Sequence, residues 1–78
     1  MPGFDRITFH PQLMGGRACI RGMRITVSLI INLIANGMNH DEIIEAYPDL
    51  ETEDIVHALR YVAWLAEEQI RPLNVASA

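Results

Sequence analysis

The stretch Leu33-Ile34-Ala35-Asn36-Gly37-Met38-Asn39-His40-Asp41-Glu42-Ile43-Ile44-Glu45-Ala46-Tyr47-Pro48 decides the architecture. It reads as the end of one helix, a glycine turn, and a short second helix stopped by proline. Gly37 is free to take the left-handed conformation that closes a helix after Asn36. Asn39 and Glu42 have the spacing of a capping box, with Asn in place of the usual Ser or Thr. Asp41 and Glu42 complement the positive end of the second helix. Ile43, Ile44, Ala46 and Tyr47 supply its apolar side, and Pro48 ends it after about two turns.

Working outward, Thr26 or Ser28 can cap a first helix running to about Asn36. Val27, Ile30, Ile31 and Ile34 form its core stripe, and Leu29 and Leu33 lie on the other side. A helix apolar on two faces is covered on two faces, here by a β element or a partner chain. Downstream, Asp49-Leu50 is a turn, and Glu51 or Thr52 starts a third, longest helix to about Gln69. The spacing predicts a core stripe of Ile55, Val56, Leu59, Val62, Ala63 and Ala66. His57, Tyr61, Trp64 and Glu68 then fall on the opposite, polar face. Arg71-Pro72 is expected to end the helix, with the remainder fraying. In front, Ile7-Thr8-Phe9 and Ala18-Cys19-Ile20 are β-prone runs, and Arg24-Ile25-Thr26 is a candidate third. The expected organisation is a loose lead-in at 1–6, one domain at 7–69 and a tail at 70–78.

Length and charge bound the function. A chain of 78 residues, half of them hydrophobic, can build a single layered core. Such a core argues against an enzyme with an enclosed pocket. No apolar run approaches the ~18 residues of a membrane span, and no signal-peptide pattern is present. A lone cysteine, Cys19, cannot form an internal disulfide, so a reducing cytoplasm is the expected compartment. Cys19 sits in an apolar run and reads as a small buried hydrophobe.

The net charge of −4 hides a split. Residues 1–27 hold Arg6, Arg17, Arg21 and Arg24 against Asp5, a balance of +3, while residues 28–78 carry −7. Lysine is absent, so every positive side chain is a guanidinium suited to bidentate pairing with carboxylate or phosphate.

Three constellations follow. Helix, glycine turn, short helix, turn and longer helix is the arrangement around a helix-turn-helix, with the third helix in the recognition position. Its first turn, Glu51-Thr52-Glu53-Asp54, opposes phosphate neutralisation, although acids there also complement the helix dipole. His57 and Arg60 are its candidate DNA contacts. Tyr61, Trp64 and Glu68 form a candidate dimer or partner interface, because aromatics bury much area at low entropy cost. Glycines bracket Arg17, Arg21 and Arg24 in loops that can meet carboxylates or phosphates. No cofactor, metal-ligand or phosphate-loop motif is found. A Cys19–histidine nucleophile pair has no supporting spacing.

The chain also resembles a known family. Gly16-Arg17-Ala18-Cys19-Ile20-Arg21-Gly22-Met23-Arg24-Ile25-Thr26-Val27, Leu33-Ile34-Ala35-Asn36-Gly37, Asp41-Glu42-Ile43-Ile44-Glu45-Ala46-Tyr47-Pro48-Asp49-Leu50 and Glu53-Asp54-Ile55 look like the prokaryotic domain of unknown function 433. Ala18 and Thr26 stand where proline is common there, Met23 where threonine is, and Glu51 where a capping Thr is. The resemblance implies a mainly α fold: a homeodomain-like tri-helical helix-turn-helix domain preceded by a short β element. It implies no enzyme activity. Many members look like antitoxins encoded beside a PIN-like nuclease toxin, with possible autorepression through promoter DNA. Joined to the charge split, this gives a protein whose Arg17, Arg21 or Arg24 enters the metal-holding carboxylates of that nuclease. Arg71 is the fallback. The competing expectations are a DNA-binding regulator without a toxin and a small adaptor homodimer.

Overall fold

The computed structural model describes the backbone of residues 4–77 and the side chains of residues 4–67. Two short strands, β1 (Ile7–Phe9) and β2 (Ala18–Ile20), precede three helices: α1 (Val27–Ala35), α2 (His40–Ala46) and α3 (Thr52–Ser77). The strands pair antiparallel, with Ile7 opposite Ile20, Thr8 opposite Cys19 and Phe9 opposite Ala18. The third β segment expected at Arg24-Ile25-Thr26 reduces to a single antiparallel bridge between Cys19 and Thr26. No described helix is long and apolar enough to cross a membrane.

The helix boundaries follow from local chemistry. The Thr26 hydroxyl accepts the Leu29 N–H at the start of α1. Gly37 takes a φ of +97° just past its end. At α2 both halves of the capping box form: Glu42 N–H donates to the Asn39 side chain, and Asn39 N–H donates to the Glu42 carboxylate, each at 2.9 Å. Pro48 follows the end of α2, and the turn that carries it closes with Leu50 N–H on the Tyr47 carbonyl. That turn drives Leu50 into the interior.

Each strand and each α-helix contributes one isoleucine to the centre: Ile7 from β1, Ile20 from β2, Ile30 from α1, Ile43 from α2 and Ile55 from α3. Leu50, Val27, Ala58 and Tyr61 complete the buried cluster. Cys19 is buried, in line with its apolar surroundings.

Two expectations for α3 are corrected. Its buried stripe is Asp54, Ile55, Ala58 and Tyr61, with Val62 and Leu65 partly covered. Leu59, assigned to the core from spacing, is 37% exposed, and Ala63 and Ala66 face solvent. The helical period is the one expected; the phase differs. The covering layer is the hairpin and the segment before it. Phe4 of the supposedly loose lead-in packs on the core, and Phe4 and Phe9 both contact Tyr61. The second correction is that α3 runs on through Pro72 to Ser77. A proline inside a helix forfeits one backbone hydrogen bond without obliging the chain to leave the helix.

The phase of α3 is directly testable. As a fully buried reference in α2, Ile43→Ala is expected to lower unfolding free energy by about 3 kcal/mol. Leu59→Ala, on the outer face, is expected to cost less than about 1 kcal/mol. Urea denaturation of both variants separates this packing from one in which Leu59 is core.

Candidate interaction site

The first turn of α3 and the tip of the β element meet at one carboxylate. Asp54 has no exposed surface. Burial alone would raise its pKa and drive it toward the neutral acid. Instead each oxygen accepts two hydrogen bonds. Oδ1 accepts from Arg6 Nη1 and Arg21 Nε, both at 2.9 Å. Oδ2 accepts from Arg21 Nη2 at 2.9 Å and from the Glu51 backbone N–H at 2.8 Å. These fill the ~4 acceptor positions a carboxylate offers. Desolvation pushes the pKa up, but Arg21, the Glu51 amide and Arg6 together outweigh it and hold the carboxyl at about 2. Both arginines are pushed above their usual range: Arg6 mainly by its bonds to Glu51 and Asp54, Arg21 mainly by its bonds to Asp54.

Local sequence puts each partner in place. Asp54 lies three residues after Glu51, so its carboxylate reaches back to that amide like the acidic half of a capping box. Arg21 occupies a tight turn: Met23 N–H donates to the Ile20 carbonyl, and Arg21 and Gly22 have φ of +45° and +71°. Two successive positive φ values are the type I′ pattern that suits a hairpin. Gly22 adopts this freely, whereas Arg21 does so at a cost of roughly 1–2 kcal/mol. The Arg21 N–H on the Arg6 carbonyl and the guanidinium on Asp54 and on the Asp49 carbonyl fasten it there. Arg6 also pairs with Glu51 at 2.7 Å.

The structure therefore divides the arginines. Arg21, expected to face a partner or phosphate, turns inward onto Asp54. Arg17 and Arg24 are exposed and join no ion pair among the described residues. Arg60 is exposed on α3 and likewise joins no ion pair among the described residues. The His57 side chain is mostly covered, its Nε2 is 3.9 Å from a Glu53 carboxylate oxygen, and its buried Nδ1 has no partner. Tyr61, expected on the outer face, is buried between Phe4, Phe9 and Trp64 at ring-centroid distances of 5.8, 6.0 and 6.1 Å. Trp64 remains 40% exposed and Phe9 47%, so the aromatic cluster has two open edges. The Glu68 and Arg71 side chains lie outside the described residues.

Beside the cluster, the hairpin end, α1 and α3 enclose a groove of about 490 Å³. Phe9, Ile31, Val62 and Leu65 form its apolar wall, and Arg17, Ser28 and Asn32 its polar rim. Among the described residues no three His, Cys, Asp or Glu side chains gather as a metal-ligand set. The geometry suits binding through an aromatic and apolar surface with a guanidinium at its edge.

Sequence reasoning missed Asp54, Arg6 and Phe4 as structural partners. The available signal was the Glu51–Asp54 spacing together with Asp54's place on the stripe of Ala58 and Tyr61.

The fold agrees with what the chain is similar to. The profile of the family described as protein of unknown function (DUF433) matches residues 7–62, and the chain belongs to that family. A crystal structure of a DUF433 member from Anabaena variabilis ATCC 29413 superposes with a TM-score of 0.74 at 30% identity, covering 88% of this chain and 68% of that one. No curated protein matches. Three motifs that carried the resemblance meet at Asp54: Arg21-Gly22 supplies the bidentate guanidinium, Tyr47-Pro48-Asp49-Leu50 the carbonyl beside it, and Glu53-Asp54-Ile55 the carboxylate.

Acid sensitivity follows with a definite sign. The folded pKa of about 2 lies below the ordinary 3.8. The stabilisation is therefore fully present above pH ~4 and is lost as pH falls toward 2, amounting to about 2 kcal/mol. Asp54→Asn should remove this acid limb and cost about 3–5 kcal/mol at neutral pH. Urea unfolding of both proteins across that pH range checks it. Parallel pH profiles would refute the ionised state of Asp54.

Proposed function

We propose that this protein is an antitoxin-like binding module that neutralises a co-encoded PIN-like nuclease. The observation that carries this reading is the half-exposed Phe9 beside Arg17, which joins no ion pair among the described residues, with Trp64 exposed at the other edge of the same aromatic cluster. Exposed aromatics flanked by arginine are the residue types that dominate binding energy at protein interfaces. A PIN-like nuclease holds its metal with clustered carboxylates, and an arginine placed among them pairs with them and excludes metal or RNA. Arg21 is committed to Asp54, so the role falls to Arg17 and Arg24. The class of partner is the one that the resemblance to this family implies.

The test is inhibition of the nuclease encoded beside this protein. Arg17→Ala, Arg24→Ala and the double variant are expected to weaken inhibition, the double by at least tenfold. Trp64→Ala is expected to weaken binding by a similar factor. Full inhibition by all four variants would reject the reading.

A DNA-binding regulator is the second reading, and one observation favours it. Arg6 and Arg21 neutralise Glu51 and Asp54, so the start of α3 is less acidic than its sequence, and Arg60 stays exposed on the same helix. It predicts a salt-sensitive shift of the protein's own promoter fragment, weakened by Arg60→Ala. Absence of a shift at low salt, with and without the nuclease, would reject it. An adaptor homodimer built on Trp64 would dissociate on Trp64→Ala in sedimentation.

A further inference from the structure

We propose that the groove between α1 and α3 receives a short amphipathic segment of a partner protein, with apolar side chains in the groove and a carboxylate on Arg17. This rests on the reading of the chain as a protein-binding module and names what that module grips. The groove volume of about 490 Å³ is enough for anchoring side chains, within the ~300–1,000 Å³ range of sites that hold ligands. Its wall of Phe9, Ile31, Val62 and Leu65 offers nothing to a phosphate backbone or a hydrophilic loop. Phe9 is 47% exposed there, and its burial is the main apolar gain on docking.

Charge selects the occupant. Among the described residues Arg17 is the only charged one lining the groove, although the chain as a whole carries −4. No carboxylate of the lining competes for it, and it has no ion pair among the described residues. The first turn of α1, which borders the same rim, also lacks an acidic residue. A guanidinium beside an apolar wall attracts a carboxylate more strongly than one in open water, because the local dielectric is lower. The surface is therefore complementary to an apolar segment carrying Asp or Glu, and not to a basic one. Helix-in-groove docking reads such segments through anchors at i, i+3, i+4 and i+7.

The experiment uses the whole chain, labelled with nitrogen-15. It is titrated with a short amphipathic peptide bearing leucines at i, i+3, i+4 and i+7 and a glutamate at one end, and with the same peptide carrying lysine there. The expected result is amide shifts centred on Ile31, Val62 and Leu65, with the lysine peptide at least tenfold weaker. Arg17→Glu, an exposed change whose fold is checked by circular dichroism, should reverse that preference. Absence of shifts, shifts elsewhere, or a preference unmoved by Arg17→Glu would overturn the proposal. So would a homodimer in sedimentation that Leu65→Glu dissociates, since a second copy would then fill the groove. The two readings fail separately. Peptide binding without nuclease inhibition refutes the nuclease reading alone. Inhibition that survives Arg17→Glu, with no peptide shifts, refutes the groove alone.

Discussion

Asp54 is a charged carboxylate with no exposed surface, and the rest of the molecule is arranged around satisfying it. A buried charge left unpaired costs several kcal/mol, a large part of the roughly 4–12 kcal/mol total stability of a chain this size. Arg6 arrives from the segment before β1, Arg21 from the turn after β2, and the Glu51 amide from the start of α3. One side chain thus ties the β element to the long helix. It also accounts for a non-glycine residue held at positive φ in that turn. Three directed hydrogen bonds from Arg6 and Arg21 to Asp54 fix where the β element sits on α3.

The helices were legible in the sequence because their signals are local. The Asn39–Glu42 box, the Thr26 cap, Gly37 and Pro48 each act within a few residues, and each does in the structure what its chemistry dictates. The phase of α3 was not legible. Tyr61 and Leu59 sit on different faces of α3, both among apolar neighbours, and Phe4 and Phe9, more than fifty residues before Tyr61 in sequence, cover the Tyr61 face. The arginines failed for the same reason. Arg17, Arg21 and Arg24 share one glycine-bracketed stretch, and nothing within it says that Arg21 alone turns inward. Its partner lies thirty-three residues later in the chain.

This division changes what the charge split means. The positive front segment is not a uniform basic patch. Arg6 and Arg21 are consumed in holding the fold, and Arg17 and Arg24 stay exposed with no ion pair among the described residues. Among the described residues the outward-facing features are the guanidiniums of Arg17, Arg24 and Arg60, the edges of Phe9 and Trp64, and the groove that Phe9 lines with α1 and α3. Phe9 and Trp64 both contact the buried Tyr61, so the packing that covers Tyr61 also positions the aromatics that stay exposed.

The most direct measurement is a double-mutant cycle between Arg21 and Asp54, using Arg21→Met, Asp54→Asn and their combination in equilibrium urea unfolding. If the pair fastens the hairpin to α3, the two changes couple by at least ~2 kcal/mol, with the double variant little worse than the worse single. Costs that add within about 0.5 kcal/mol would mean that the residues act independently, and would contradict the account.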